Sequence, residues 1–379
     1  MNQAILIKSV QALVFRAPLA VPVQTSFGIM HSRPMVLVKL TDDSGCEGWG
    51  EIWCNFPSVG AEYRARLLEQ VVAPLIEGVE FESVQAMFDQ LTEALHVLTL
   101  QCGEPGPFNH VLAGVDLAVW DLLARRANQP LFRYLGGNDP SIRVYASGLN
   151  PSSPEAVVKR RAQEGYRDFK LKVGFGTARD VENLRAMRAV ADKLPDNIDL
   201  MVDANQAWSL DEAIDNMRQM QAFDLVWVEE PLRADQPWAT WQHLKQETNM
   251  PLAAGENVSG DSEFDKALSA GTLSVVQPDI AKWGGLSRGL SVAKRIQAAG
   301  LRFCPHYLGG GVGLLASAHL LAAAGGDGLM EIDSNDNPLR ETLQGPLLSI
   351  SEGRAQLEEK PGIGIEPDLA ALEQYRVTY

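Results

Sequence analysis

The sequence predicts an α/β barrel of the TIM type preceded by a smaller α+β domain, and three observations carry that expectation. From about residue 140, short β-branched runs alternate with helical stretches at intervals of roughly 20 to 30 residues, the length of a βα unit. Eight such runs occur: Val144–Ser147, Phe169–Val173, Leu200–Asn205, Leu225–Glu230, Leu252–Glu256, Leu273–Asp279, Arg302–His306 and Leu329–Asp333. Nearly every run carries a charged residue at or within two positions of its end, and the C-terminal strand ends form the active-site face of a parallel barrel. An open doubly wound sheet uses the same units, but the count of eight favours closure.

Before the barrel, Ile5, Ile7, Val10, Ala12 and Val14 alternate with polar residues as a strand does, and Asp42-Asp43-Ser44-Gly45 supplies a turn. Helical stretches follow from Ala61 to Ile76 and from Val111 to Arg126, so residues 1–130 read as an α+β domain. Within the barrel, residues 140–335, Ser153-Pro154 opens one helix that Gly165 closes, and Ser209 with Glu212 forms a capping box for another. Leu308 to Gly326 is apolar but glycine-rich and carries His319, which suits a loop and a buried helix better than a membrane span. Residues 336–379, rich in Pro and Gly, are too short to fold alone and are expected to pack back on the first domain.

Composition narrows the function. With 46% hydrophobic residues the chain can bury a full core, and a net charge of −15 argues against nucleic acid or an anionic membrane as partner. Cys46, Cys54, Cys102 and Cys304 show no paired or zinc spacing, so a reducing, cytoplasmic setting is expected.

The strand ends carry the chemistry. Lys170 and Lys172 lie two apart on one strand and therefore on one face. Asp203, Glu229 and Glu256 end three consecutive strands, 26 and 27 residues apart. One such carboxylate alone reads as a solvated loop residue; three converging ones repel unless a cation lies between them, and oxygen-only ligation suits Mg²⁺. Glu230 must point away from Glu229 and is read as structural, bridged to a lysine. Asp279 and His306 end adjacent strands and form a dyad in which the carboxylate fixes the imidazole tautomer; the other five histidines are read as structural. Glu331 points inward from the last strand as an acid or hydrogen-bond donor. Lysines on one side, a histidine on the other and a metal between them suit removal of a proton next to a carboxylate, whose enediolate needs positive charge as it forms. A contrasting expectation comes from Gly309-Gly310-Gly311-Val312-Gly313, a glycine run after strand seven where other barrels bind phosphate, which would suit a phosphosugar-binding barrel.

Lys170-x-Lys172, Asp203-x-Asn205, Glu229, Glu256-Asn257, Asp279-x-x-Lys282-Trp283-Gly284-Gly285, His306, Glu331 and the closing Pro361-Gly362-Ile363-Gly364 together resemble the mandelate racemase subgroup of the enolase superfamily over nearly the whole chain. The resemblance implies a (β/α)₇β barrel under an N-terminal capping domain, an essential Mg²⁺ and a homo-oligomer. It further implies that Asp203, Glu229 and Glu256 hold the metal and that Lys172 and His306 are bases on opposite faces. Lys170 would lie against the substrate carboxylate and lower the pKa of Lys172, Glu331 would donate to the enolate oxygen, and Asn205 would touch the α-hydroxyl. Lys282 is similar to a lysine of the lactonizing relatives, but Asp279 stands where their catalytic lysine lies. Substrate choice would fall to capping loops at Val23–Ile29 and Glu51–Phe56. There Gln24, Glu51 and Asn55 are candidate hydrogen-bond partners, and Trp53 and Phe56 candidate apolar walls. The expected activity is dehydration of an acid sugar or related hydroxy acid to a 2-keto-3-deoxy acid, with a racemase or epimerase of a 2-hydroxy carboxylate as the alternative.

Overall fold

A computed structural model of the chain describes residues 4–25, 28–194 and 198–379. The N-terminal domain is built on an antiparallel sheet of β1 (Ile5–Thr25), β2 (Gly28–Asp42), β3 (Glu47–Ile52) and β4 (Glu80–Phe81), in the order β3-β2-β1-β4. The predicted turn closes β2 onto β3: Gly45 takes φ 83°, and one Asp42 carboxylate oxygen accepts from the amides of Ser44 and Cys46. Helices 84–102 and 105–126 pack beside the sheet. The second approaches β3 so closely that a Cβ on Gly50 would lie 2.1 Å from the Gly114 carbonyl oxygen. The first, Val84–Cys102, was not foreseen, and the expected 61–76 helix is divided into α, π and 3-10 segments.

The barrel strands are β5 (Ser141–Leu149), β6 (Asp168–Lys172), β7 (Asp199–Asp203), β8 (Val228–Glu229), β9 (Leu252–Ala254), β10 (Val275–Val276), β11 (Arg302–Phe303) and β12 (Leu329–Asp333). They run in parallel as β11-β10-β9-β8-β7-β6-β5-β12. Across the remaining seam the Leu329 amide donates to Cys304 Sγ at 3.4 Å, so the barrel is nearly closed. Its interior is filled by Tyr145, Met201, Trp227, Ala253, Val275, Cys304 and Leu329, a packed plug rather than a channel. Strands β7 to β11 are shorter than the β-branched runs, and Glu230, Glu256, Asp279 and His306 lie just beyond the last strand residue.

The C-terminal residues touch both parts. A final strand, β13 (Arg354–Gln356), pairs antiparallel with β5, Ile363 N donates to Asp121, and Arg125 binds Glu366. The helix at Leu210–Met220 has the predicted Ser209/Glu212 capping box. The apolar 308–326 stretch is a loop followed by the buried helix Gly311–Ala324, and among the described residues no helix is long and apolar enough to cross a membrane.

Candidate active site

The strand ends gather their charges at one mouth of the barrel, facing the N-terminal domain. A cavity of about 290 Å³ there is lined by Thr25, Trp53 and Phe56 from that domain and by Lys172, Asn205, Gln206, Glu256, Asn257, Lys282, His306 and Leu308 from the barrel. That size falls at the lower edge of small-molecule sites, roughly 300–1,000 Å³. Wider surface grooves, one between Arg125 and Lys360 and one around Arg302 and Asp327, lie away from this cluster.

Two positions come from strand register. Lys170 pairs with Met201 and Lys172 with Asp203 across β6 and β7, while Asp203 pairs with Glu229 across β7 and β8. Lys172 Nζ lies 2.5 Å from Asp203 Oδ2. Burial favours the neutral amine and Lys170 adds to that effect, but Asp203, Glu229 and Glu331 together overcome both and raise the Lys172 pKa above its ordinary value. The expected lowering by Lys170 is therefore present but overcome. Lys170 is wholly buried beneath the cavity, 2.6 Å from Glu229 and 2.9 Å from Glu331. It braces carboxylates from below, unlike the expected lysine lying against substrate.

His306 is fixed from one side and presented from the other. Its Nδ1 lies 2.7 Å from Asp279 Oδ2, and Asp279 Oδ1 accepts from the Ala281 and Lys282 amides, so the dyad is anchored by the turn that follows β10. Nε2 faces Glu256 at 2.7 Å and Glu331 at 3.6 Å. Burial alone would lower the imidazole pKa; Glu256, Glu331 and the hydrogen bond to Asp279 raise it well above its usual value.

Glu331 differs from expectation. Ser147 donates to its Oε1, which Lys170 also reaches, whereas the buried Oε2 accepts no hydrogen bond. Burial favours its protonated form, but Lys170, His306 and Lys172 together hold the pKa below the ordinary value. Glu331 is thus a carboxylate in this charge arrangement, an acceptor rather than the expected donor. Glu230 takes φ 40°, and its Oε1 accepts from Asn257 Nδ2 at 2.9 Å, so its partner is an amide in place of the expected lysine.

The donor set fits a divalent cation. Asp203, Glu229 and Glu256 offer oxygen only, from three adjacent strands. Five buried carboxyls (Asp203, Glu229, Glu230, Asp279, Glu331) and the partly buried Glu256 meet four cationic groups (Lys170, Lys172, Lys282, His306). The shortage of positive charge shows in two of them. Burial raises Glu229 to about 7, against Lys170 and with Asp203 and Glu331 adding to the rise. Burial, then Glu256 and Asp203, push Glu230 well above its usual range. Among the described residues no three acidic, His or Cys groups are gathered into a ready-made metal cluster, because each carboxylate leans on a cation: Asp203 on Lys172, Glu229 on Lys170, Glu256 on Lys282 and His306.

From the N-terminal domain, Trp53 and Phe56 do wall the cavity, and Lys282 Nζ lies 4.8 Å from the Trp53 ring centre. Asn205 lines the cavity beside Asp203, to which its Nδ2 donates at 3.1 Å. Gln24 does not contribute: it is exposed, whereas its buried neighbour Thr25 lines the cavity. After the register shift between Pro18 and Val23, strand alternation buries Val23 and Thr25 and leaves Gln24 on the exposed side. Ser26 and Phe27 of the same loop lie outside the described residues. Asn55 is buried and its Nδ2 donates to the Leu308 carbonyl at 2.6 Å; Glu51 accepts from the Gly310 and Gly313 amides at 2.5 and 2.9 Å. Neither is available to sugar hydroxyls. The glycine run is likewise spoken for: its amides bind Glu51, and a Cβ on Gly313 would lie 2.2 Å from the Tyr307 hydroxyl, so these glycines permit close packing rather than a phosphate cradle.

Sequence reasoning did not select Lys282, Gln206, Thr25, Asn257 or Leu308 as lining residues. Lys282 had a signal, three positions after Asp279 on the same turn, and its Nζ reaches Glu256 at 2.9 Å.

Comparison with known proteins identifies the family of both parts of the chain. Residues 154–371 match the enolase C-terminal domain-like family, and residues 9–136 match the N-terminal domain of the mandelate racemase / muconate lactonizing enzyme family. Arabinonate dehydratase of Saccharolobus solfataricus is 26% identical over 91% of this chain and 91% of its own. Other curated relatives are named cycloisomerases and racemases. A crystal structure described as a mandelate racemase/muconate lactonizing enzyme from Bordetella bronchiseptica RB50 is 51% identical, with TM-score 0.92, covering 98% of this chain and 100% of that one. A Bradyrhizobium enolase complexed with magnesium and mandelic acid is 26% identical, with TM-score 0.86, covering 100% of both chains.

Proposed function

The chain belongs to the mandelate racemase / muconate lactonizing enzyme family of the enolase superfamily, and from that premise we propose that it abstracts the α-proton of a hydroxy carboxylate and dehydrates an acid sugar to a 2-keto-3-deoxy acid. The observation that carries the proposal is that Lys172, paired with Asp203, and the dyad-held His306 both line a small cavity together with Glu256. Asp203, Glu229 and Glu256 would hold Mg²⁺, which when bound supplies positive charge to the substrate's carboxylate oxygens.

The chain's own residues account for the proton transfers. One base, Lys172 or His306, takes the α-proton as the Cα–H bond breaks and its electrons pass into the carboxylate, giving an enediolate. The opposite group, in its acid form, gives a proton to the departing β-hydroxyl as that C–O bond breaks, releasing water and an enol that becomes the 2-keto acid. Asp279 keeps the His306 proton on Nδ1 and leaves Nε2 facing the cavity. The Glu331 oxygen without a hydrogen bond, Oε2, lies 3.6 Å from His306 Nε2 and would steady the imidazolium that forms there. Trp53 and Phe56 exclude water from above, where the charges gain strength from the low dielectric.

The relatives named racemases support a second reading, in which the opposite group returns the proton to Cα with inversion. A library of acid sugars and 2-hydroxy acids incubated with Mg²⁺-loaded enzyme distinguishes the two. Appearance of a 2-keto acid that reacts with semicarbazide supports dehydration; racemised 2-hydroxy acid with no keto product supports the second reading.

A further inference from the structure

The two bases are held by different means. Lys172 lies within β6, in ladder register with Asp203, and the Val173 amide continues that ladder to the Asp203 carbonyl at 2.9 Å. His306 lies three residues beyond the last ladder residue of β11, Phe303, on irregular chain. Among the described residues its backbone tie to the barrel is the bond from His306 N to the Pro278 carbonyl at 3.2 Å.

The segment that follows His306 is gripped from the N-terminal domain. Asn55 Nδ2 takes the Leu308 carbonyl at 2.6 Å. Glu51, at the end of β3, accepts from Gly310 N and Gly313 N with its two carboxylate oxygens, capping the helix Gly311–Ala324, which has no side-chain cap of its own. The Tyr307 ring packs against Gly309 and Gly313. Asn337 holds the Gly309 carbonyl at 2.8 Å from the other side. Glu51 is 2% exposed, so its bonds are not shared with bulk water.

We propose that Glu51, assisted by Asn55, is a positioning residue for His306: the N-terminal domain clamps the connection that carries this base, so its docking completes one face of the active site while the barrel alone completes the other. The proposal rests on the two-base reading above, and it predicts a loss confined to one stereochemical face. In Glu51→Gln one amide keeps an acceptor and the other meets an NH₂ group. A displacement of about 1 Å at a reacting group costs up to ~100-fold, so His306-side chemistry should fall by about 10- to 100-fold, with Lys172-side chemistry within about 3-fold of wild type.

The experiment follows α-proton exchange in D₂O by the Mg²⁺-loaded full chain on pairs of C2 epimers, (R)- and (S)-mandelate and galactonate with talonate. Lys172→Ala and His306→Asn first assign each epimer to its base, by which variant loses its exchange. Glu51→Gln, and Asn55→Ala as a milder second variant, are then compared with wild type. Backbone hydrogen exchange of residues 304–316 against 168–173 is measured on the same samples. Selective loss on the His306 epimer, with faster amide exchange confined to 304–316, is the expected result. Equal loss on both epimers, or no loss on either, overturns the proposal. If wild type exchanges no probe, the functional reading fails on its own. The amide data then decide the clamp: faster exchange at 304–316 supports it, and unaltered exchange overturns it.

Discussion

Lys172 Nζ and Asp203 Oδ2 lie 2.5 Å apart on one rung of the β6–β7 ladder. A proposed base and a proposed metal ligand are thus each other's counter-ion, and the charge on Asp203 is the quantity that both roles share. Replacing Asp203 by Asn removes that charge with little change of shape. A ligand present at 100 times its dissociation constant stabilises the folded state by about 2.7 kcal/mol. Mg²⁺ should therefore raise the wild-type Tm by several degrees and that of Asp203→Asn far less. An equal Mg²⁺-dependent rise in both, read by thermal unfolding, contradicts the ligand assignment.

Lys172→Ala and His306→Asn should each abolish overall turnover while leaving the Mg²⁺-dependent rise in Tm in place. Loss of a general acid or base costs typically 10²- to 10⁴-fold. Product formation in both variants at more than about a tenth of the wild-type rate contradicts the two-base assignment.

The barrel-end charges were legible because each lies within a few residues of a β-branched run, where the βα repeat fixes which end of the strand is the active face. Their protonation was less legible. The sequence shows Lys170 two residues from Lys172, but only the fold brings Asp203 onto the same rung with Glu229 and Glu331 nearby, and these carboxylates together reverse the expected shift. Gln24 has the right type for binding hydroxyls, but strand alternation buries Val23 and Thr25 and turns Gln24 outward. Glu51 and Asn55 had the right types for binding hydroxyls, yet their partners are backbone groups more than 250 residues away. No local pattern encodes such a contact.

Asp116 gives a pH prediction. It is buried at the junction of helix 105–126 with helix 285–298, where the Ser287 amide donates to its Oδ1 at 3.0 Å. Burial, partly offset by the Ser287 hydrogen bonds, raises its pKa from 3.8 to about 7. Because the folded state holds the proton more tightly than the unfolded one, the associated stability is full below about pH 4 and is lost as pH rises through about 7. The whole effect is on the order of 4 kcal/mol. Asp116→Asn stays neutral, so its stability relative to wild type should increase from pH 5 to pH 8 in urea unfolding. Parallel pH profiles contradict the assignment.

Gly50→Ala tests how the N-terminal sheet seats its helix. The new Cβ would lie 2.1 Å from Gly114 O and 2.8 Å from Ala118 N, both backbone atoms that cannot rotate away. Overpacking of this kind costs about 1–3 kcal/mol, and a drop in unfolding midpoint of that size is expected. An unchanged midpoint would mean that β3 and the helix separate at little cost.

The central claim, α-proton abstraction from a hydroxy carboxylate, is tested most directly by proton NMR of the folded, Mg²⁺-loaded wild type in D₂O with acid sugars and aryl or alkyl 2-hydroxy acids. The account predicts loss of an α-proton signal together with new 3-deoxy-2-keto signals from an acid sugar. Retention of the α-proton on every acid sugar and 2-hydroxy acid would contradict it.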